Sequence, residues 1–389
     1  MRVLRSLLIA LIVASFANAQ ESSDRPVSEE MEADRIEAAD VSEPDASEFA
    51  RTNNGDQRSV AAMEAVREGN DLWRSGEIEK SSASYQRAIN LNPSSYSAQF
   101  NLGLTLHHMK QYGRAVLAFT KAVRLRPDSA SAWQSLGSAH YRRKHYEKAV
   151  EAFREAQRLA PYDAETNNNL GFAYLFVDRF QDAVTWFQNA LKIDRRFGPA
   201  IRGLCIAYTL ARKPNDAVQA CLTAVNAQSD SAVPHYFLGN AYIQLVEPEK
   251  ALNAFQKAAS LEPDSARIRV GLGFASFKLK DYPAALKHFE HARKLSASAE
   301  HALTGLGATY AQLKDYDKAE ATLREAVSSD SDSPVARYNL GIVCLARRNR
   351  DCALSQYNRL KIMGHALART LFTAIFQDRV VDASGYNKP

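Results

Sequence analysis

The chain has 389 residues, of which 46% are hydrophobic and 24% charged, and its formal net charge is +5. This is the composition of a folded soluble protein, and 17 glycines with 13 prolines exclude a collagen-like or low-complexity chain. The length fits two ordinary domains or one extended array.

Residues 1–19 carry Arg2 and Arg5, then an apolar run from Leu7 to Phe16, then Ala17-Asn18-Ala19. A basic start, an apolar stretch too short to span a bilayer and a small-residue cleavage site read as a secretory signal peptide cut before Gln20. The expected location is therefore the periplasm or the outside of the cell; the other reading is an uncleaved membrane anchor. No cysteine precedes Cys205, so this region offers no acceptor for a lipoprotein lipid.

Residues 20–61 hold twelve Asp and Glu against four Arg, with few aromatics. Such a segment buries too little apolar surface to offset its ordering entropy, and a disordered acidic leader is expected there. From Ala62 onward 43 basic residues face 32 acidic ones. An acidic leader beside a basic body either screens the body's groove or serves as a solubilising linker.

From Ala62 the sequence divides into nine lines of 34 residues without an insertion, starting at Ala62, Tyr96, Ala130, Ala164, Gly198, Ala232, Ala266, Glu300 and Pro334. Column 7 is Leu in eight lines, from Leu102 to Leu340, and column 8 is Gly in eight, from Gly69 to Gly341, broken only by Cys205. Columns 20 and 27 are Ala in eight lines each, and column 24 carries Phe119, Phe153, Phe187, Phe255 and Phe289. Gly inside a helix costs about 1 kcal/mol relative to Ala, so its recurrence marks places where two backbones must approach closely. Pro93, Pro127 and Pro263 punctuate helix ends, with Ser or Asp placed to cap the next helix. Tyr112, Tyr146, Phe180, Tyr282 and Tyr316 close the turn inside each pair.

This pattern resembles the tetratricopeptide repeat over residues 62–367. The resemblance implies an all-α fold of antiparallel helix pairs, A then B, stacked as a right-handed solenoid through about one superhelical turn. Line 1 departs from the pattern with Glu68 for Leu and Ser81 for Ala, as an end repeat should. At the other end, residues 368–389 are expected to form a capping helix and frayed tail, with Leu367, Leu371, Phe372 and Ile375 on one face; an amphipathic membrane-surface helix is the alternative.

Four cysteines occur, in two lines only. Cys205 takes the Gly column and Cys221 the aromatic column of line 5, at similar heights on antiparallel helices, while Cys344 and Cys352 face each other across the turn of line 9. Two disulfides within repeats are expected in an oxidising compartment, the other reading being two pairs of buried thiols. No quartet has the spacing of a zinc site.

No phosphate-binding glycine loop, dinucleotide fingerprint, HExxH or GxSxG occurs, so no enzyme, cofactor or small-molecule substrate is expected. His107, His108, His140 and His145 read as a solvated basic edge rather than metal ligands. What remains is binding. The resemblance implies a concave groove lined by helix A, where the columns unused by packing carry Asn70, Asn101, His107 and Arg142 as a polar, basic mouth, then Asn169, then Phe172, Phe176, Ile206, Tyr236, Phe237, Phe274 and Phe277 as an apolar middle. These apolar residues either face a partner or fill space between neighbouring A helices. In arrays similar to this one, asparagines at column 6 bind the backbone of an extended peptide; here Asn101, Asn169 and Asn339 hold that column, interrupted by Ser135, Gly203, Phe237, Gly271 and Gly305. A carboxylate clamp is rejected, because Val66, Ser131 and Ser135 stand where it needs basic residues. The expected function is a non-enzymatic protein-binding scaffold of the bacterial envelope. The alternatives are a polysaccharide-type polyanion binder or a helper subunit in secretion or polysaccharide assembly; export argues against nucleic acid, and no stable membrane insertion is expected.

Overall fold

A computed structural model describes residues 41–43, 57–296 and 300–383, with side chains as far as Phe376. Among the described residues there are nineteen helices, in two compact units that divide at Ala211 and Arg212. The first holds α1 Gln57–Arg74, α2 Ile78–Leu91, α3 Tyr96–His108, α4 Tyr112–Leu125, α5 Ala130–Arg142, α6 Tyr146–Leu159, α7 Ala164–Phe176, α8 Phe180–Ile193 and α9 Gly198–Leu210. The second holds α10 Pro214–Ala227, α11 Ala232–Gln244, α12 Pro248–Leu261, α13 Ala266–Lys278, α14 Tyr282–Leu295, α15 Glu300–Gln312, α16 Tyr316–Ser329, α17 Pro334–Ala346, α18 Arg350–Ile362 and α19 Leu367–Ala383. Within each unit successive helices pack as antiparallel pairs, and each odd-numbered helix also touches the next odd-numbered one, as α3 touches α5 and α13 touches α15. The odd-numbered helices therefore line the inner side of each unit.

The glycine columns explain this spacing. An ideal Cβ at Gly103 would lie 2.5 Å from the Phe119 ring, and one at Gly137, Gly239 or Gly273 would lie 2.6 Å from Phe153, Phe255 or Phe289. Each ring of a B helix thus lies against the bare backbone of its own A helix. The same rings reach the following A helix as well: Phe255 lies against Gly271 and Phe289 against Gly305, with ideal-Cβ distances of 2.7 and 2.5 Å. Gly271 and Gly305 interrupt the asparagine column because a side chain there would displace the ring of the preceding repeat.

The inner helices from α1 to α17 each end at a left-handed residue. At the turn after α3 Gln111 N–H donates to Leu106 C=O at 2.8 Å and Lys110 N–H to His107 C=O at 2.9 Å, a Schellman motif that requires a left-handed residue. That residue is Lys110, Lys144, Asp178, Arg212, Val246, Lys280, Lys314 or Arg348, with φ between 55° and 64°, and Gly76 in the first repeat. At the other turns Ser95, Ser129, Asp163 and Ser333 accept a cap hydrogen bond as the sequence predicts, while Ser231 and Ser265 make no side-chain cap bond.

Several expectations need correction. Helix α1 begins at Gln57, five residues before the first line, so residues 57–61 of the expected disordered leader are helical. Residues 41–43 of that leader are described too, with Val41 only 6% exposed; the signal segment and the rest of the leader lie outside the described residues. Helix α19 runs on to Ala383, through much of the expected tail. Its buried face is Leu367, Ala368, Leu371 and Ile375, whereas Phe372 is 44% exposed and lies between Tyr357 and Phe376 at ring distances of 5.5 and 4.5 Å. Leu371 comes within 2.6 Å of an ideal Cβ at Gly341, so the last helix fills the slot that a column 24 ring fills elsewhere. Cys344 and Cys352 form a disulfide with their Cα atoms 5.8 Å apart, and Cys205 and Cys221 are disulfide-bonded as well.

Candidate functional site

The apolar middle predicted for the groove is not an open surface. Phe172, Phe237 and Ile206 are fully buried, and Phe176, Tyr236 and Phe274 are at most 5% exposed. Each ring has a structural neighbour: Phe172 meets Phe187 edge-on at 5.0 Å, Phe176 stacks on Tyr146 at 4.5 Å and meets Tyr141 at 5.2 Å, and Phe274 meets Phe289 at 6.0 Å. Tyr236 lies between Phe237 and Phe255, at 5.3 and 5.7 Å. Phe277 is half-buried and meets Tyr282 edge-on, with the ring centres 5.5 Å apart. An inner helix is squeezed by its own B helix on one side and by neighbouring repeats on the others, so α7 needs apolar residues nearly all round.

The basic mouth is also revised. His107 is 5% exposed, its Nε2 lies 3.3 Å from Ser138 Oγ, and its ring meets Tyr112 at 5.0 Å. Burial, and then the neighbouring His108, push its pKa down to about 4, so the imidazole is neutral at pH 7. His140 is likewise pushed down to about 4, by burial first and then by Lys148, His145 and Arg143. Arg142 is half-buried at the end of α5.

Asn70 and Asn101 do come together, and they hold something. Asn101 Nδ2 donates to Asn70 Oδ1 at 2.9 Å, and Tyr85 Oη donates to the same oxygen at 2.8 Å, which fixes the orientation of both amides. The Asn101 carboxamide then clasps the main chain of Ser42: Ser42 N–H donates to Asn101 Oδ1, and Asn101 Nδ2 donates to Ser42 C=O, both at 2.8 Å. Asn70 Nδ2 adds a longer bond to the same carbonyl at 3.4 Å, and Ser97 Oγ donates to Glu43 C=O at 3.1 Å. The side chain of Glu43 pairs with Arg74, whose guanidinium this raises above its ordinary pKa, and Val41 joins the apolar cluster that contains Val66, Trp73 and Leu102. The paired donor and acceptor of one carboxamide thus match one residue of extended backbone, as a neighbouring strand would.

Asn169 and Asn339 occupy the column of Asn101 in later repeats. They are 0% and 5% exposed, and neither Nδ2 has a hydrogen-bond partner among the described residues. Asn168 Nδ2 donates to Asn169 Oδ1 at 3.5 Å. Glu320, Cys344 and Cys352 form a close group of metal-ligand types, but the two sulfurs are joined to each other.

Family models described as tetratricopeptide repeat match residues 66–130, 109–164 and 304–364, residues 264–332, and residues 164–197 and 233–265. Together they span about two thirds of the chain, and the unmatched line is the one that carries Cys205 and Cys221. No curated protein matches the sequence. Among solved structures, a tetratricopeptide repeat protein from Parabacteroides merdae is 16% identical with a TM-score of 0.52, over 64% of this chain and 99% of its own. The Cut9–Hcn1 hetero-tetramer of APC/C gives 19% identity and a TM-score of 0.55, over 84% of this chain and 65% of that one. These likenesses concern the fold. The repeat columns, the paired helices and the family matches agree, and the chain belongs to the tetratricopeptide-repeat family.

Proposed function

We propose that this protein is a non-enzymatic scaffold of the bacterial cell envelope that binds an extended segment of a partner protein along its inner helices. The observation that carries the reading is the clasp of Asn101 on the main chain of Ser42, because it is a working example of extended backbone held on this face. The buried, unpartnered Nδ2 atoms of Asn169 and Asn339 support further points of the same kind. The family is one of protein-binding repeats, and Cut9, which shares the fold, is found with Hcn1 in a hetero-tetramer. Export rests on the sequence of residues 1–19; among the described residues no helix is long and apolar enough to cross a membrane.

The test is capture from envelope extract by the full-length chain and by the Asn70→Ala, Asn101→Ala variant, both shown folded by circular dichroism. A partner that is identified, purified and found to bind the unmodified chain at least about tenfold tighter than the variant supports the reading; equal binding removes it. Protein recovered from the envelope should begin at Gln20. The polyanion alternative rests on the basic body, but several of its cations are already paired locally, as Lys80 with Glu77, Arg158 with Glu155 and Lys318 with Asp315. Binding that collapses as salt rises would favour that alternative.

A further inference from the structure

The clasp also says what it selects. At position 42 the short contacts go to the main chain and the hydroxyl adds only a 3.5 Å contact to Ser97 Oγ, so the site asks chiefly for an N–H and a small enough side chain. At position 41 the environment is apolar, with Val66 and Trp73 in the same cluster, and Val41 is 6% exposed. At position 43 the side chain meets Arg74 while its carbonyl accepts from Ser97. The three positions therefore specify an apolar residue, a small residue with a free N–H, and a carboxylate.

The leader contains that triplet twice. Val41-Ser42-Glu43 is the copy seated on α1 and α3, and Val27-Ser28-Glu29 repeats it fourteen residues earlier; the triplet occurs nowhere else in the chain. Thirteen residues separate Glu43 from Gln57, the start of α1. At about 3.3 to 3.6 Å per residue that length is ample for the segment to return to its own first two repeats. So short a tether supplies the ligand at an effective concentration on the order of millimolar.

We infer that the inner face of the first two repeats is a binding site for an extended acidic segment of the form Val-Ser-Glu, and that the chain's own leader fills it as an internal ligand which a partner must displace. This rests on the reading of the inner helices as a protein-binding face, and it adds the chemistry of the partner and a control on its access. The leader is strongly acidic, so an incoming segment competes on the same terms: an apolar anchor, a shared backbone clasp and a carboxylate for Arg74.

The experiment uses the full chain and a fluorescent peptide of residues 38–46. Ser42→Pro removes the N–H that Asn101 accepts, without touching a repeat. Ser28→Pro is added so that the other triplet cannot take its place. The double variant should bind the peptide at least about tenfold tighter than the unmodified chain, since a site filled nine-tenths of the time weakens apparent affinity by that factor. Adding Asn101→Ala should abolish the binding. A peptide carrying Glu43→Lys should prefer the Arg74→Glu form of the double variant, a reversal that general stickiness would not produce.

Equal affinity of the unmodified chain and the double variant, or no binding by a folded double variant, overturns the inference. So does a dimer that dissociates on dilution while peptide affinity rises, because the segment would then be filling a second copy. Failure here is separable from failure of the broader reading. If Asn101→Ala loses the envelope partner while Ser28→Pro, Ser42→Pro captures it no better, the inner face stands and only the internal ligand falls. If Asn101→Ala captures the partner as well as the unmodified chain, both fall.

Discussion

At the last repeat of the second unit, Leu371 of α19 fills the space beside Gly341 and is fully buried, whereas at the first two repeats of the first unit the inner face is covered by three residues held mainly through their main chain. The cap hides surface that a further repeat would otherwise cover, whereas the clasp covers part of the inner face, and they differ in strength and in reversibility. The cap is apolar, and its contribution grows with every carbon removed from water. In the clasp, each hydrogen bond replaces one to water and adds a net of about 0.5–1.5 kcal/mol. A partner's backbone can make the same bonds, so the cap is a fixed part of the second unit while the clasp in the first is exchangeable.

The largest effect should come from the cap. Leu371→Ala leaves the Gly341 slot empty and is expected to cost about 2–5 kcal/mol in the second unit. Trp73, Trp133 and Trp186 are the only tryptophans, and all lie in the first unit. Urea unfolding followed by circular dichroism should therefore shift while the tryptophan transition stays in place. Asn101→Ala should shift the tryptophan transition by less than Leu371→Ala shifts the other. Should the two losses be equal, the clasp is a structural fixture and the contrast between the ends disappears.

A smaller effect, again confined to the first unit, comes from acid. His107 is pushed down to about 4 in the folded protein, against about 6.5 in an unfolded chain. Between those values the unfolded chain binds more protons, so stability rises with pH through this window. The contribution of His107 is complete above pH 6.5 and is lost as pH falls toward 4, by about 1.4 kcal/mol for each pH unit. His140 adds to the same trend. Tryptophan-detected stability measured from pH 7 to pH 4 should fall along this slope, and His107→Gln should flatten it. An unchanged slope in the variant would mean that His107 is not the buried base.

These residues also show where the sequence is readable and where it is not. The pairing of Gly103 with Phe119 follows from columns that recur, because a repeated contact leaves a repeated residue type, and the disulfide of Cys344 with Cys352 follows from two cysteines that break their columns in one line and face each other across its turn. The clasp is legible only in part: Asn101 stands in the column that the resemblance assigns to backbone binding, but nothing in the sequence names the segment it holds. Asn70 and Asn101 stand in different columns, and their ligand is the N–H and C=O of Ser42, which every residue but proline offers. Phe172 and Phe176 were misleading for another reason. Periodicity assigns an apolar residue to a face, and on α7 nearly every face is a packing face. His107 carries no sequence mark of burial at all; it is the crossing of α3 with its neighbours that takes it out of water.

The smallest expected effect sharpens the comparison at the backbone. The turn residue Val246 in the second unit has φ of 60°, and Lys144 at the same column in the first has φ of 61°. Left-handed backbone costs any residue with a Cβ about 1–2 kcal/mol, and a β-branched side chain is the worst placed there. Val246 is also 72% exposed, so its side chain contributes little packing that a replacement would lose. Glycine relieves the strain but gives the unfolded chain more freedom, an opposing effect of about 0.4–1 kcal/mol. For Val246→Gly the balance should favour the folded state by a few tenths to about 1 kcal/mol, raising the midpoint seen by circular dichroism and leaving the tryptophan midpoint alone. For Lys144→Gly the two effects should nearly cancel, because an unbranched side chain is under less strain at the same φ. If Lys144→Gly stabilises as much as Val246→Gly, the branch at Cβ is not what separates the two turns, and the cost lies in the shared left-handed geometry of the Schellman motif.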